Sequence, residues 1–253
     1  MHRSPASLPP SSPEHQRPVV RAVILSGSGR YADAWHPFAE TSAALAGIVA
    51  GAGYRVEVGD DLLAGLAGLG DADLLVVNAG DPEAPLPEGT GEPAQPTDEE
   101  LVAAADGLEA ALDRGIGVLA VHAAASTLPE LPQFGHALGG RWVEGFSWHP
   151  SIDEARVHIV GTHVIADGLT DFTVTDERYT GLRIDGVIEP IAEHEEDGMR
   201  HPLVWARELG RSRVVYDALG HDVRSYESAE HRELLTRALQ WLSHVPAPTF
   251  DGS

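Results

Sequence analysis

Three short apolar runs, separated by stretches with helical spacing, set the limits on what this chain can fold into. They are "VVRAVIL" (19–25), "ADLLVVNAG" (72–80) and "GIGVLAV" (115–121). They are too short for ordinary helices, and none alternates as a half-exposed strand would. Such runs read as strands buried on both faces of a sheet. Between them, "ETSAALAGIVAGAG" (40–53) is apolar at helical spacing and closed by Gly. "TDEELVAAADGLEAALDRG" (97–115) is a second helix, with Thr97 as N-cap, Glu100 at the capping-box position and Gly115 as stop. "YRVEV" (54–58) alternates as a further strand. Strand, helix and strand in repetition predict an α/β fold around a parallel, doubly wound sheet.

The second half reads differently. "ARVHIV" (155–160), "DFTVTDERY" (171–179), "VIEPIAEH" (187–194), "PLVWARE" (202–208) and "RVVYDALG" (213–220) are strands with tight connections, which predicts antiparallel additions to the same sheet. A last amphipathic helix, "SAEHRELLTRALQWLSHV" (228–245), turns Leu234, Leu235, Ala238 and Leu242 inward. "DPEAPLPEGTGEPAQPTDEE" (81–100) is rich in Pro, Gly and acid and reads as a mobile surface loop. With no internal repeat and no linker, the expectation is one domain, 19–246. It is flanked by a disordered tail over 1–18 and a short tail over 247–253.

Charge and composition exclude several chemistries. A formal net charge of −22 argues against nucleic acid and against anionic membrane surfaces. There is no Cys, hence no thiolate nucleophile and no Cys-ligated metal. Every one of the 17 basic residues is Arg, which removes Schiff-base chemistry and the P-loop lysine. A metal site would have to draw on the 13 His together with Asp or Glu. The first residues lack the apolar core of a secretory signal, and no run is long enough to cross a bilayer, so a soluble cytoplasmic protein is expected. A homo-oligomer is left open.

Ligands of open α/β sheets bind beyond the carboxyl ends of the strands. Here those ends carry Ser26, Gly27 and nearby His36; Asn78; His122; and His221 after "RVVYDALG". Each has a plain alternative as a turn residue. His149 and His201 both precede Pro, which favours extended loop corners. Asp176 and Glu177 also read as a solvated strand end, and Tyr179 and Trp205 as core. The functional reading rests on number: His36, His122, His149, His201 and His221 all sit at element boundaries.

At this point the residues resemble a known family. "GVLAVHAAAST", "FSWHP", "DGLTDFTVTDERY", "HPLVWARELGRSRVVYDALGH" and "SYESAEHRELLTRALQW", in this order, are similar to the ThuA-like (trehalose-utilisation) family over roughly residues 20–244. The resemblance implies a flavodoxin-like, class I glutamine amidotransferase-like fold of three α/β/α layers. In the related amidotransferases the turn after the fourth strand is a nucleophile elbow carrying Cys; the family has His there, and His122 matches. With no Cys, glutamine hydrolysis by a thiolate is excluded.

His221 falls where that fold brings its catalytic His. Asp176, Glu177 and Tyr179 fall on the family's "DE-x-Y" pattern, and His149, His201 and Trp205 on its "HP" and "HP-x-x-W" patterns. His163 is followed by Val164 where the family often has Pro, a departure that weakens any role for it. The resemblance implies a small-molecule partner, trehalose-related or a keto-sugar. His122 and His221 would handle protons, Asp176 or Glu177 would assist, and Ser26, Gly27, His36, Asn78, His149, Tyr179, His201 and Trp205 would line the site.

Two further readings stay open. One is metal-assisted hydrolysis or isomerisation with an ion such as zinc, for which His122, His149 and His221 are candidate ligands. The other is a non-catalytic ligand-binding or interaction domain.

Overall fold

A computed structural model describes residues 20–243. The two tails of the sequence reading, 1–18 and 247–253, lie outside them. The elements run β1 (Arg21–Ser26), α1 (Phe38–Gly51), β2 (Arg55–Gly59), α2 (Leu62–Ala67), β3 (Leu74–Asn78), α3 (Asp98–Arg114), β4 (Gly117–Val121), α4 (Pro132–Leu138) and β5 (Gly140–Arg141). Then follow β6 (Asp153–Ile159), β7 (Phe172–Asp176), β8 (Arg183–Ile184), β9 (Glu189–Glu196), β10 (Met199–Leu209), β11 (Ser212–Asp217) and α5 (Ala229–Leu242).

One nine-stranded sheet has the order β2-β1-β3-β4-β11-β10-β9-β6-β7. The strands β2, β1, β3, β4 and β11 are parallel, and β10, β9, β6 and β7 continue the sheet antiparallel. This is the mixed sheet the sequence predicts. β3 and β4 are buried at every position, because neighbouring strands and helices enclose them. Leaving water contributes about 1.5–3 kcal/mol for each large aliphatic side chain there.

Two glycines set helix approach. An added Cβ at Gly117 would lie 2.7 Å from the Leu242 carbonyl oxygen, so β4 opens on glycine where α5 ends against it. One at Gly107 would lie 2.3 Å from the Leu66 carbonyl oxygen, so α3 and α2 touch backbone to backbone. Thr97 and Glu100 form the predicted capping box, and Gly115 ends α3 in the left-handed conformation. Leu234, Leu235, Ala238 and Leu242 are buried as predicted.

The segment before α3 has no regular structure, but its start is anchored: the Ala34 amide donates to the Pro85 carbonyl at 2.8 Å. Among the described residues no helix is long and apolar enough to cross a membrane.

Candidate active site at the carboxyl edge of the sheet

β4 ends at Val121, and the chain turns sharply into a short 3-10 turn beginning at His122. His122 has φ 49°, a left-handed conformation that costs a non-glycine residue about 1–2 kcal/mol. Two bonds hold it there. Its Nδ1 is 2.6 Å from the Ala218 carbonyl, and its own carbonyl accepts from the Tyr216 hydroxyl at 2.8 Å. A carbonyl can only accept, so Nδ1 carries the proton and Nε2 of the neutral ring bears a bare lone pair. That Nε2 is buried without a hydrogen-bond partner, 3.4 Å from Glu177 Oε2. The strained turn expected after this strand is therefore present, but its His is 1% exposed rather than open to water.

His36 arrives from the loop after β1. Asp33 places it: its carboxylate accepts the Trp35 and His36 amides at 2.9 Å and faces His36 Nδ1 at 2.7–2.8 Å. His36 Nε2 is then the free nitrogen, and it too is buried and unpartnered. Burial holds the His36 pKa below its ordinary value despite Asp33.

Asp176 and Glu177 close the site from the far end of the sheet. β7 lies four places from β11, yet Asp176 at its end accepts the Gly220 and His221 amides at 2.8 and 3.2 Å. The β6–β7 hairpin therefore folds back over the carboxyl edge. Asp176 is spent on that backbone clamp and is buried; Glu177 is the carboxylate in the site. Its oxygens lie 3.2 Å from His221 Nδ1, 3.4 Å from His122 Nε2 and 3.5 Å from His149 Nδ1. Burial raises the Glu177 pKa, but protons on the neighbouring His122 and His221 rings, where present, outweigh it and hold the carboxyl below its usual range. Burial likewise depresses His221, and Glu177 more than reverses this. The ligand-type atoms of His36, His122, Glu177 and His221 all lie within 4.8 Å of one another.

Above this cluster opens a cavity of about 580 Å3. His36, His149, Glu177, Tyr179 and His221, five of the residues singled out from the sequence, line it. So do Asp33, Trp35, Asp81, Glu83, Trp142 and Glu144, which the sequence reading did not select. Tyr179 packs its ring 4.3 Å from that of His122.

The other expected residues lie elsewhere. Ser26 and Asn78 are buried among the hydroxyls of Thr41 and Ser42, where they join β1 and β3 to α1. An added Cβ at Gly27 would meet the Phe38 ring at 2.6 Å, so this glycine serves the packing of α1. Trp205 is fully buried inside β10, its ring 4.4 Å from Tyr216 and its Nε1 donating to the Leu138 carbonyl. His201 lies opposite His194 across the β9–β10 ladder, ring centroids 5.3 Å apart.

His194 carries a pH prediction. Burial pushes its pKa down to about 4. Between the ordinary value of about 6.5 and that value, the unfolded chain holds a proton that the folded chain refuses. Its contribution is therefore complete above about pH 6.5 and is lost as pH falls, by up to about 1.4 kcal/mol per pH unit. Urea unfolding at pH 7, 5.5 and 4.5 should show a shallower acid loss in His194→Gln than in wild type. Parallel curves would remove His194 as a source of acid sensitivity.

The sheet order and the strained turn after β4 belong to an α/β fold of the class I glutamine amidotransferase-like kind. The sequence model of the ThuA family, described as trehalose utilisation, matches residues 21–242, and the chain belongs to that family. A thua-like protein from Parabacteroides merdae ATCC 43184 superposes with a TM-score of 0.69 at 17% identity, covering 89% of this chain and 90% of that one. One from Bacteroides uniformis ATCC 8492 gives 0.66 at 17%, covering 92% and 95%. A glutamine amidotransferase from Thermotoga maritima gives 0.51 at 12%, covering 89% and 98%. At such identities these structures establish the fold alone. A search of curated proteins gave no match.

Proposed function

We propose that this chain is a carbohydrate-processing enzyme that takes an uncharged, trehalose-related or keto-sugar substrate into the cavity above Glu177. The lining of that cavity carries the reading. Asp81, Glu83 and Glu144 offer carboxylates, Trp35, Trp142 and Tyr179 offer aromatic faces, and no Arg lines it. Carboxylates accept hydroxyl hydrogens, and the electron-rich ring faces suit the C–H faces of a pyranose. A phosphate or sugar acid would meet the carboxylates of Asp81, Glu83 and Glu144, with no Arg in the lining to offset them.

The chemistry at the floor follows from the side chains there. Glu177 and His221 form a coupled pair able to move a proton beside a carbonyl or at a glycosidic oxygen. His122 presents one lone pair in fixed orientation. Glutamine hydrolysis is outside this chemistry, since the chain has no Cys.

Calorimetry and product analysis with trehalose, its keto-sugar oxidation product and glucose 6-phosphate test this. One of the first two should bind and turn over, with glucose 6-phosphate weaker by about tenfold or more. Preference for the phosphate ester would sink the proposal, and sugar binding without turnover would reduce it to a binding domain.

A further inference from the structure

We infer that His36, His122, His221 and Glu177 together hold one divalent transition-metal ion, such as Zn2+ or Mn2+. This deepens the preceding proposal. It rests on that reading for what the ion would act upon, not for whether the ion binds.

The first argument is the direction of the lone pairs. Ala218 and Asp33 oblige His122 and His36 to keep their protons on Nδ1. Each neutral ring then turns a bare Nε2 inward, buried and without a partner. His221 adds a third unpartnered buried nitrogen, Nδ1. His122 Nε2 and His221 Nδ1 face the Glu177 carboxylate, itself only an acceptor, and a ring nitrogen of His36 lies within 4.8 Å of the other ligand atoms. At His122, acceptor looks at acceptor across 3.4 Å. Such an arrangement calls for a positive centre between the groups. Protons alone would make neighbouring imidazoliums of rings whose centroids are 4.8–5.4 Å apart. A single divalent ion satisfies every lone pair at once.

The second argument is spacing. Around one ion with bonds of about 2.0–2.2 Å, tetrahedral donor atoms lie about 3.3–3.6 Å apart. Glu177 already lies 3.4 Å from His122 and 3.2 Å from His221, and no pair in the set exceeds 4.8 Å. His149 is not one of the four: its ring is partly exposed, and its Nδ1 also lies 3.0 Å from the Pro150 carbonyl.

The third argument lies one layer out. Metal-binding His residues are usually oriented through their other nitrogen by a carboxylate or a backbone carbonyl. Both forms are present here, Asp33 behind His36 and Ala218 behind His122.

The test uses the full chain, purified untagged without any metal-affinity column. Elemental analysis is followed by Zn2+ and Mn2+ titration of stripped protein against a chromophoric chelator. Wild type should take up about one equivalent of one of these ions. His36→Ala and His122→Ala should each weaken uptake by about 100-fold or more, and Asp33→Asn by about 10–100-fold. His136→Ala, which touches none of these groups, should match wild type. Circular dichroism of every variant separates lost ligands from lost fold.

Absence of stoichiometric uptake by folded wild type at millimolar Zn2+ and Mn2+ would overturn the inference. So would unchanged affinity in folded His36→Ala and His122→Ala. Metal uptake without any sugar turnover would instead overturn the proposed substrate and leave the metal site standing. Full sugar turnover by stripped protein that takes up no metal would do the reverse.

Discussion

Glu177→Gln should leave a folded protein with almost no activity. The substitution keeps the shape and removes the one negative charge between three rings, the nearest of them 3.2 Å away. Whether the carboxylate moves a proton with His221 or helps to bind a cation, an amide does neither. Removing a group of this kind costs about 10^2–10^4-fold in turnover. The fold has little to lose. The Glu177 amide is bound to Asp176, and the clamp on Gly220 and His221 is made by Asp176 alone. The expected signature is thus a turnover loss of about a thousandfold with a melting temperature close to wild type. A variant that keeps more than about a tenth of wild-type turnover would remove Glu177 from the chemistry.

The largest loss of stability should come from Asp217→Ala. Asp217 ends β11, and its carboxylate lies 2.7 Å from His231 Nε2 in α5, both side chains being fully buried. On its far side, His231 Nδ1 meets the Ser225 carbonyl and hydroxyl at 3.0 Å. Burial pulls the His231 pKa down, but the charge and hydrogen bond of Asp217 more than offset it, and the net shift is upward. Removing the anion strands a buried ring, which costs about 3–5 kcal/mol, or about 6–20 °C for a domain of this size.

Replacing both partners by Leu should recover part of this, because no unpaired group is then left inside. The sign of the pH effect is definite. Stabilisation by the pair is complete below about pH 6.5, the ordinary His value, and fades as pH rises through the elevated one. Differential scanning calorimetry from pH 5.5 to 9 should therefore show the gap between wild type and the double variant narrowing upward. A single variant that melts with wild type would show the pair to be dispensable. The residue after Asp217 is Ala218, so loosening this joint should also blunt the orientation of His122.

Periodicity and capping made most of the sheet and the three long helices legible. α2 was not, because six residues of "LLAGLA" are too few for a period, and its one signal is Asp61 capping the Ala64 amide. α4 and the β5–β8 pair were missed for the same reason of length. Of the residues read from the sequence, those just beyond strand ends, His122, Glu177 and His221, come together in one cluster. Those inside or at the last position of a strand lie away from it. Trp205 sits mid-strand in β10 with neighbours on both sides, and Ser26 and Asn78 turn toward α1. Asp33 was invisible because its role depends on a loop folding back upon its own amides, which no spacing reveals. The acidic stretch beginning at Asp81 was read as a mobile surface loop, yet Asp81 and Glu83 wall the cavity.

The fold-back of the β6–β7 hairpin has a consequence for how the protein comes into being. The chain completes β4, and with it His36 and His122, by residue 122, but Glu177 and His221 follow much later and reach them only across the finished sheet. Such contacts have large sequence separation and pay their loop-closure entropy late. A chain made only as far as residue 122 carries two of the four clustered groups, His36 and His122, and lacks Glu177 and His221. The four-group cluster can therefore exist only once the last strand has been made.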